Sequence, residues 1–362
     1  MATAAGTWSY RDRFGDRFGR TYFRRFGRGV VSSVGLGTYL GEPTDAVDSR
    51  YCETIRSALD AGVNLVDTAI NYRCQRSERV IGDAVRESAA EREEVVVTTK
   101  GGFVPFDGER PDDPGAYVRE EFVEPGLVDP GDLARGSHSI APAFLEELLD
   151  RSLSNLGLET VDCYYVHNPE TQLSVRDREA VYEQLGDAFR ALERRRAAGE
   201  VGRYGVASWE AFRVGREHES FLDLGRVLKL AASATETVGV DSHGLRAIQL
   251  PFNVGMADAF NVASHTHGDE RVSALEFANR EGLGVFASAS LGQGALAGGL
   301  PPEIAAELAG ETSAQRALNF ARSAPAVTGA LVGMSTVEHV RENVAAGTFD
   351  PMGASAFDAI FE

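Results

Sequence analysis

One pattern constrains this chain more than any other. A short apolar run rich in β-branched residues is followed by a longer segment of helical periodicity, and the pair recurs eight times. Continuous apolar runs of this kind read as parallel strands buried on both faces, and each parallel strand needs a crossover to reach the next. Strands are expected at 30–38, 63–68, 95–100, 161–167, 204–208, 247–253, 284–290 and 329–334. Helices are expected at 45–61, at 77–90 with Ser77 as N-cap, and at 141–156, 177–198, roughly 210–237, 271–280, 312–323 and 336–345.

Eight such units in 362 residues predict an α/β fold, a (β/α)8 TIM barrel. The alternative is an open doubly wound sheet, which wants a glycine fingerprint opening its first helix. The first turn here, GLGTYLGEPTDA, has glycines, but a long connection separates them from the helix. The barrel is expected to fill residues 30–362 as one domain. Residues 1–29 carry RFG at Arg13, Arg17 and Arg25. They read as a short hairpin over one barrel end behind a partly disordered leader, or else as a basic arm for an acidic partner. After the third strand comes a loop of roughly 40 residues, a length that is usually functional. Its Tyr117 and Phe122 are expected to shape a substrate pocket.

Charge narrows the partners. Asp and Glu total 54 against 36 for Lys plus Arg, a net charge of −18. That surplus repels a polyanion, so nucleic-acid binding is not expected, and it looks like adaptation to a salt-rich cytosol. No apolar run is long enough to span a membrane, and the N-terminus lacks the apolar core of a secretory signal. Cys52, Cys74 and Cys163 form no CxxC, which fits a reducing, cytoplasmic setting. Only two bases are lysine, Lys100 and Lys229, so a lysine at a strand end stands out.

Barrel enzymes collect reactive groups at the C-terminal ends of their strands. Those ends carry Asp67 and nearby Tyr72, then Lys100, then His167, in three successive units. Singly, each has an ordinary explanation as a turn cap or rim residue. Together they form a proton-handling set. A lysine ammonium beside a phenol favours the phenolate and lowers its pKa, and a carboxylate fixes the ammonium. A histidine across the pocket can orient a carbonyl. The set suits proton transfer to a carbonyl oxygen but supplies no hydride, so a nicotinamide is required.

VDTAINY with SERVIG, VVVTTK, and SLSNLGLETVDCYYVHNPE resemble the aldo-keto reductases, and the likeness extends from about Val30 to Asn343. The resemblance implies an NAD(P)H-dependent oxidoreductase that reduces an aldehyde or ketone to an alcohol, or runs the reverse. Tyr72 would be the general acid, Lys100 its pKa modulator, Asp67 the partner of Lys100, and His167 the substrate-orienting group. The implied cofactor contacts are Gly37 and Thr38 in the first turn, Ser208 and Gln249 at the nicotinamide, and Leu291, Gly292 and Gly294 along the pyrophosphate. Ser335, Thr336, His339, Glu342 and Asn343 would meet the adenosine end. Ala207 stands where a serine hydroxyl is usual, and Ser288 where an aromatic is usual. Gly333 and His339 stand where a lysine and an arginine often grip a 2′-phosphate, so the cofactor is NADP or NAD, with NADP ahead. A small carbonyl or alcohol is the expected partner.

Two other functions fit parts of the sequence. A non-catalytic nucleotide-binding sensor would account for Ala207 and Ser288. A metal-dependent barrel hydrolase would use His265 and His267, the only close histidine pair, although no ligands on other strands match them.

Overall fold

Eight parallel strands close into a barrel. They are β1 (Val34–Gly37), β2 (Leu65–Asp67), β3 (Val96–Gly101), β4 (Cys163–His167), β5 (Tyr204–Ala207), β6 (Leu245–Pro251), β7 (Gly284–Ser288) and β8 (Val327–Gly333). The structure is a computed structural model and describes residues 1–361. Each strand feeds one principal helix: α1 (Asp45–Asp60), α2 (Arg76–Glu87), α3 (Pro142–Leu156), α4 (Arg178–Ala197), α5 (Leu224–Val238), α6 (Ala274–Glu281), α7 (Ser313–Ser323) and α8 (Val337–Ala345). Strand β8 pairs with β1 and β7, and β6 with β7, which closes the ring.

The side-chain period of two divides each strand between two cores. Leu65, Val96, Tyr165, Ala247, Phe286 and Leu331 fill the barrel interior. Their neighbours Val66, Val97, Val166, Val206, Ile248 and Val285 face outward and bury the apolar stripes of the helices. One end of the barrel is stopped by the N-terminal segment. A hairpin of Phe23–Phe26 with Gly29–Ser32 places Phe26 edge-on against Phe286, ring centroids 5.0 Å apart.

Several boundaries differ from the sequence reading, each for a local reason. The strand expected at 30–38 is two strands, because Ser32 and Ser33 turn the chain out of the hairpin. The Asn64 amide oxygen accepts from Ser32 N at 2.8 Å and holds that turn. The leader, expected to be partly disordered, is a helix, Ala4–Arg13, capped by Thr3. It buries only Thr7 and Tyr10, too few apolar positions to show a period. Ser77 is not a cap: Gln75 precedes α2 in a left-handed conformation, and the Ser77 hydroxyl donates to Thr38 O at 2.9 Å. The helix expected over 210–237 begins only at Leu224, where the Asp223 side chain accepts from Gly225 N. The helix expected from 271 begins at Ala274, after a hairpin of His265–His267 with Glu270–Val272 that turns at Gly268.

The long loop after β3 has a small core of its own, with Val104, Val118 and Phe122 packed on Phe144 and Leu148 of α3. Among the described residues, no helix is long and apolar enough to cross a membrane.

Candidate active site

Asp67 ends β2, and Lys100 lies one residue short of the end of the adjacent strand β3. Their pairing register sets Asp67 opposite Thr98, on the same strand face as Lys100. The lysine is fully buried, and its ammonium donates to Asp67 Oδ2 at 2.6 Å and to Thr68 O at 2.6 Å. Asp67 Oδ1 accepts from Thr98 Oγ1 at 2.6 Å and from Gln249 Nε2 at 2.9 Å. Burial acts against the lysine charge, but Asp67 and Tyr72 outweigh it and hold the ammonium above its ordinary pKa. An ion pair this deep is tolerable because the carboxylate has further donors.

The Tyr72 phenol oxygen lies 3.4 Å from Lys100 Nζ. Burial raises the phenol pKa above its ordinary value, and Lys100 pulls against that rise. The lysine therefore moderates an upward shift and does not produce a net lowering. What holds Tyr72 is the turn that follows it. Arg73, Cys74 and Gln75 all adopt left-handed backbone, at φ 49°, 55° and 67°. Arg73 is buried, donates from Nε to Glu42 O at 3.1 Å, and is ion-paired with Asp48. This ties the β1–α1 loop to the tyrosine, and Tyr39 from that loop meets the Tyr72 ring edge-on at 5.0 Å.

His167 ends β4 across the pocket, its ring centroid 6.1 Å from that of Tyr72. Burial first, then the Lys100 and His138 charges, hold its pKa well below the usual imidazole range, so the ring is neutral. Nδ1 has no protein partner. The His167 carbonyl accepts from His138 Nε2 at 2.7 Å, and Phe103 lies edge-on to both rings, at 4.7 Å from His138 and 5.0 Å from His167.

Asp67, Tyr72 and His167 open onto one cavity of about 790 Å³ at the C-terminal mouth of the barrel. Lys100 lies beneath its wall and reaches it through Tyr72. Tyr39, Leu40 and Trp209 are large apolar side chains left exposed on the rim. Of the long loop, Phe103 reaches the wall; Phe122 is enclosed in the loop's own core, and Tyr117 packs on Phe106.

The cavity continues past Gly37, Thr38, Ser208, Gln249, Leu291 and Gly294 to Ser335, His339, Glu342 and Asn343. Gly292 lies off this wall, in the turn that presents Leu291 and Gly294. Thr336 is used as the α8 N-cap, accepting from His339 N at 3.2 Å. The residues fit a dinucleotide. A Cβ built on Gly294 or Gly333 meets no protein atom within 4 Å, so bare backbone faces open space where a phosphate can approach. The first turn of α8 points amides toward the same end.

Gln249 donates to Asp67 and keeps its amide oxygen for another partner. The Ser208 hydroxyl donates to Glu170 Oε1 at 3.0 Å, and the same oxygen accepts from the backbone N of Trp209 and Glu210. Glu170 and His138 were not legible as site residues. Neither ends a strand: His138 meets a backbone carbonyl, and Glu170 accepts from two backbone amides and the Ser208 hydroxyl. Asn71 was missed as well, although it stands beside Tyr72 and its buried Oδ1 has no partner.

Among the described residues, no cluster of three or more His, Cys, Asp or Glu could hold a metal. Both ring nitrogens of His265 are used, by Leu224 N and Phe212 O, which leaves it no lone pair for an ion.

The model of the Aldo/keto reductase family matches residues 33–224. A putative voltage-gated potassium channel subunit beta from Schizosaccharomyces pombe is 30% identical over 201 residues, 54% of this chain and 48% of that one. The NADH-specific methylglyoxal reductase of Escherichia coli is 27% identical over 200 residues, 54% and 53% of the two chains. The chain thus spans about half the length of the curated relatives it matches. Among solved structures, an aldo-keto reductase of Klebsiella pneumoniae in complex with NADPH superposes at a TM-score of 0.60, with 20% identity and 94% of each chain covered. A holo aldo-keto reductase of Bacillus halodurans gives 0.63 at 18% identity, covering 94% and 95%. At these identities the structural likeness speaks for the fold.

Proposed function

This chain belongs to the aldo/keto reductase family, and we propose that it is an NAD(P)H-dependent oxidoreductase that reduces an aldehyde or ketone to an alcohol, or runs the reverse. One observation carries the reading: the Tyr72 phenol stands 3.4 Å from a buried ammonium that is itself held by Asp67. The hydride comes from the reduced nicotinamide. Tyr72 gives its proton to the carbonyl oxygen as negative charge develops there. Lys100 stabilises the phenolate left behind, and Asp67 keeps that ammonium charged and in place. The neutral His167 ring directs one N–H at the carbonyl oxygen and fixes its approach. Because burial holds the phenol pKa up, Tyr72 keeps its proton at neutral pH, as the reductive direction needs.

Gln249 would hold the carboxamide through its free oxygen, and Ser208 through its hydroxyl. Gly37 and Thr38 would flank the nicotinamide side, Leu291, Gly292 and Gly294 the pyrophosphate, and Ser335, Thr336, His339, Glu342 and Asn343 the adenosine. We place NADP ahead of NAD, and the enzyme in the cytoplasm, where its three free cysteines stay reduced. The substrate is a small carbonyl compound.

The test is oxidation of NADPH and of NADH against a panel of aldehydes and ketones, with Tyr72→Phe in parallel. Loss of one general acid is expected to lower turnover by roughly 10²–10⁴-fold with nucleotide binding unchanged. Parental turnover in Tyr72→Phe would remove the assigned acid.

A further inference from the structure

His167 is the last residue of β4, and its carbonyl lies where the neighbouring strand has already turned away. β3 ends at Gly101, and Gly102 bends the chain at φ 147°. A strand-end carbonyl buried without a partner costs free energy and leaves its peptide plane free to tilt. Here it has a partner from 29 residues earlier: His138 Nε2, at 2.7 Å. That contact requires Nε2 to carry the proton, and the rest of the His138 environment agrees. Nδ1 faces the Gln172 amide nitrogen at 2.8 Å, so it accepts, and the same amide donates to His138 O at 2.8 Å. His138 is fully buried, and Phe103 is wedged edge-on between it and His167. Space there is tight: a Cβ on Gly102 would lie 2.8 Å from His167 O and 3.2 Å from His138 Nε2.

We propose that His138 is a positioning residue for His167: its Nε2–H anchors the His167 carbonyl and so sets the direction of the Cα–Cβ bond that aims the imidazole at the substrate. This rests on the reading of His167 as the group that orients the carbonyl. It also gives the long loop a part in the reaction, because His138 closes that loop. The backbone of His138 bridges Phe103 and Ala134, and Val104 N donates to Ser137 O at 2.8 Å. The loop core and the ring that meets the substrate are thereby joined through one hydrogen bond.

Three variants separate the hydrogen bond from the packing. His138→Phe fills the space without a donor. His138→Gln restores an amide donor at similar reach. His138→Ala removes both. NADPH dissociation constants, read by fluorescence, are expected to match the parent in all three, because His138 lies off the nucleotide wall. In His138→Phe, kcat/KM for the carbonyl substrate is expected to fall by about tenfold to a hundredfold, the scale of a misplaced reacting group, with a raised KM contributing. His138→Gln is expected to recover most of that loss. His138→Phe with parental KM and kcat, beside a His167→Ala that is impaired, would overturn the proposal alone. A His167→Ala with parental turnover would remove the underlying reading and the proposal with it. Equal loss in His138→Phe and His138→Gln would also overturn it, since that pattern reports packing only.

Discussion

The two sides of the barrel mouth are built on opposite principles. From β2 to β4 the wall rests on a buried charge pair whose polar atoms are all engaged. Lys100 has three contacts, Asp67 three, and even the His167 carbonyl is bound. From β7 to β8 the wall is looser, with Gly294 and Gly333 facing open space and His339 exposed. Proton transfer demands charges fixed in a dry place, so residue identity is forced there. A nucleotide can be gripped by any surface that offers amides and room, so identity is loose there.

The sharpest way to break this contrast is at the buried pair. Lys100→Met strands the Asp67 carboxylate, and about 3–5 kcal/mol of stability is expected to go with it, along with turnover. Urea unfolding would show this. Asp67→Asn added to Lys100→Met is expected to restore part of the stability and none of the rate. If Lys100→Met melted like the parent, the wall from β2 to β4 would not be a tightly coupled unit.

Next comes acid. His138 has its pKa pushed down by burial to about 4, below its ordinary value. The unfolded chain therefore binds the extra proton first as pH falls. The stability is full above roughly pH 6.5 and is lost on the way down to about 4, a difference on the order of 3 kcal/mol. His167 is shifted in the same direction. Unfolding free energies of His138→Phe across that window should vary less steeply than those of the parent.

The open wall should respond more gently. Gly333→Lys puts a base where a Cβ has room, and NADPH is expected to bind about tenfold tighter with NADH unchanged. The smallest effect is assigned to His339→Ala. An exposed imidazole that only touches Ser335 Oγ, at 3.2 Å, should change NADPH affinity by less than about threefold. A large loss there would mean that His339 does grip the phosphate.

The same contrast explains what could be read before the fold was known. The barrel was legible because eight apolar runs each carry the period of a buried strand. Asp67, Lys100 and His167 were legible because strand ends are where a barrel puts chemistry, and Tyr72 because it follows so closely. His138 and Glu170 were not, since each acts on a backbone group that only the folded chain brings near. The hairpin at His265–Val272 was hidden because three-residue strands are too short to show a period. Lys100 does pull the Tyr72 pKa down, as its charge predicts, but sequence does not measure burial, which is the larger influence and acts upward.

The turn beneath Tyr72 sets a trade-off between backbone strain and rigidity. Arg73, Cys74 and Gln75 each hold a left-handed backbone that costs a residue with a Cβ roughly 1 kcal/mol. Glycine would relieve that cost and loosen the stalk on which the phenol stands, but at Arg73 it would also remove the ion pair with Asp48 and at Gln75 the hydrogen bond to Phe106 O. Relief of the backbone and anchorage of the side chains therefore pull in opposite directions at that bend.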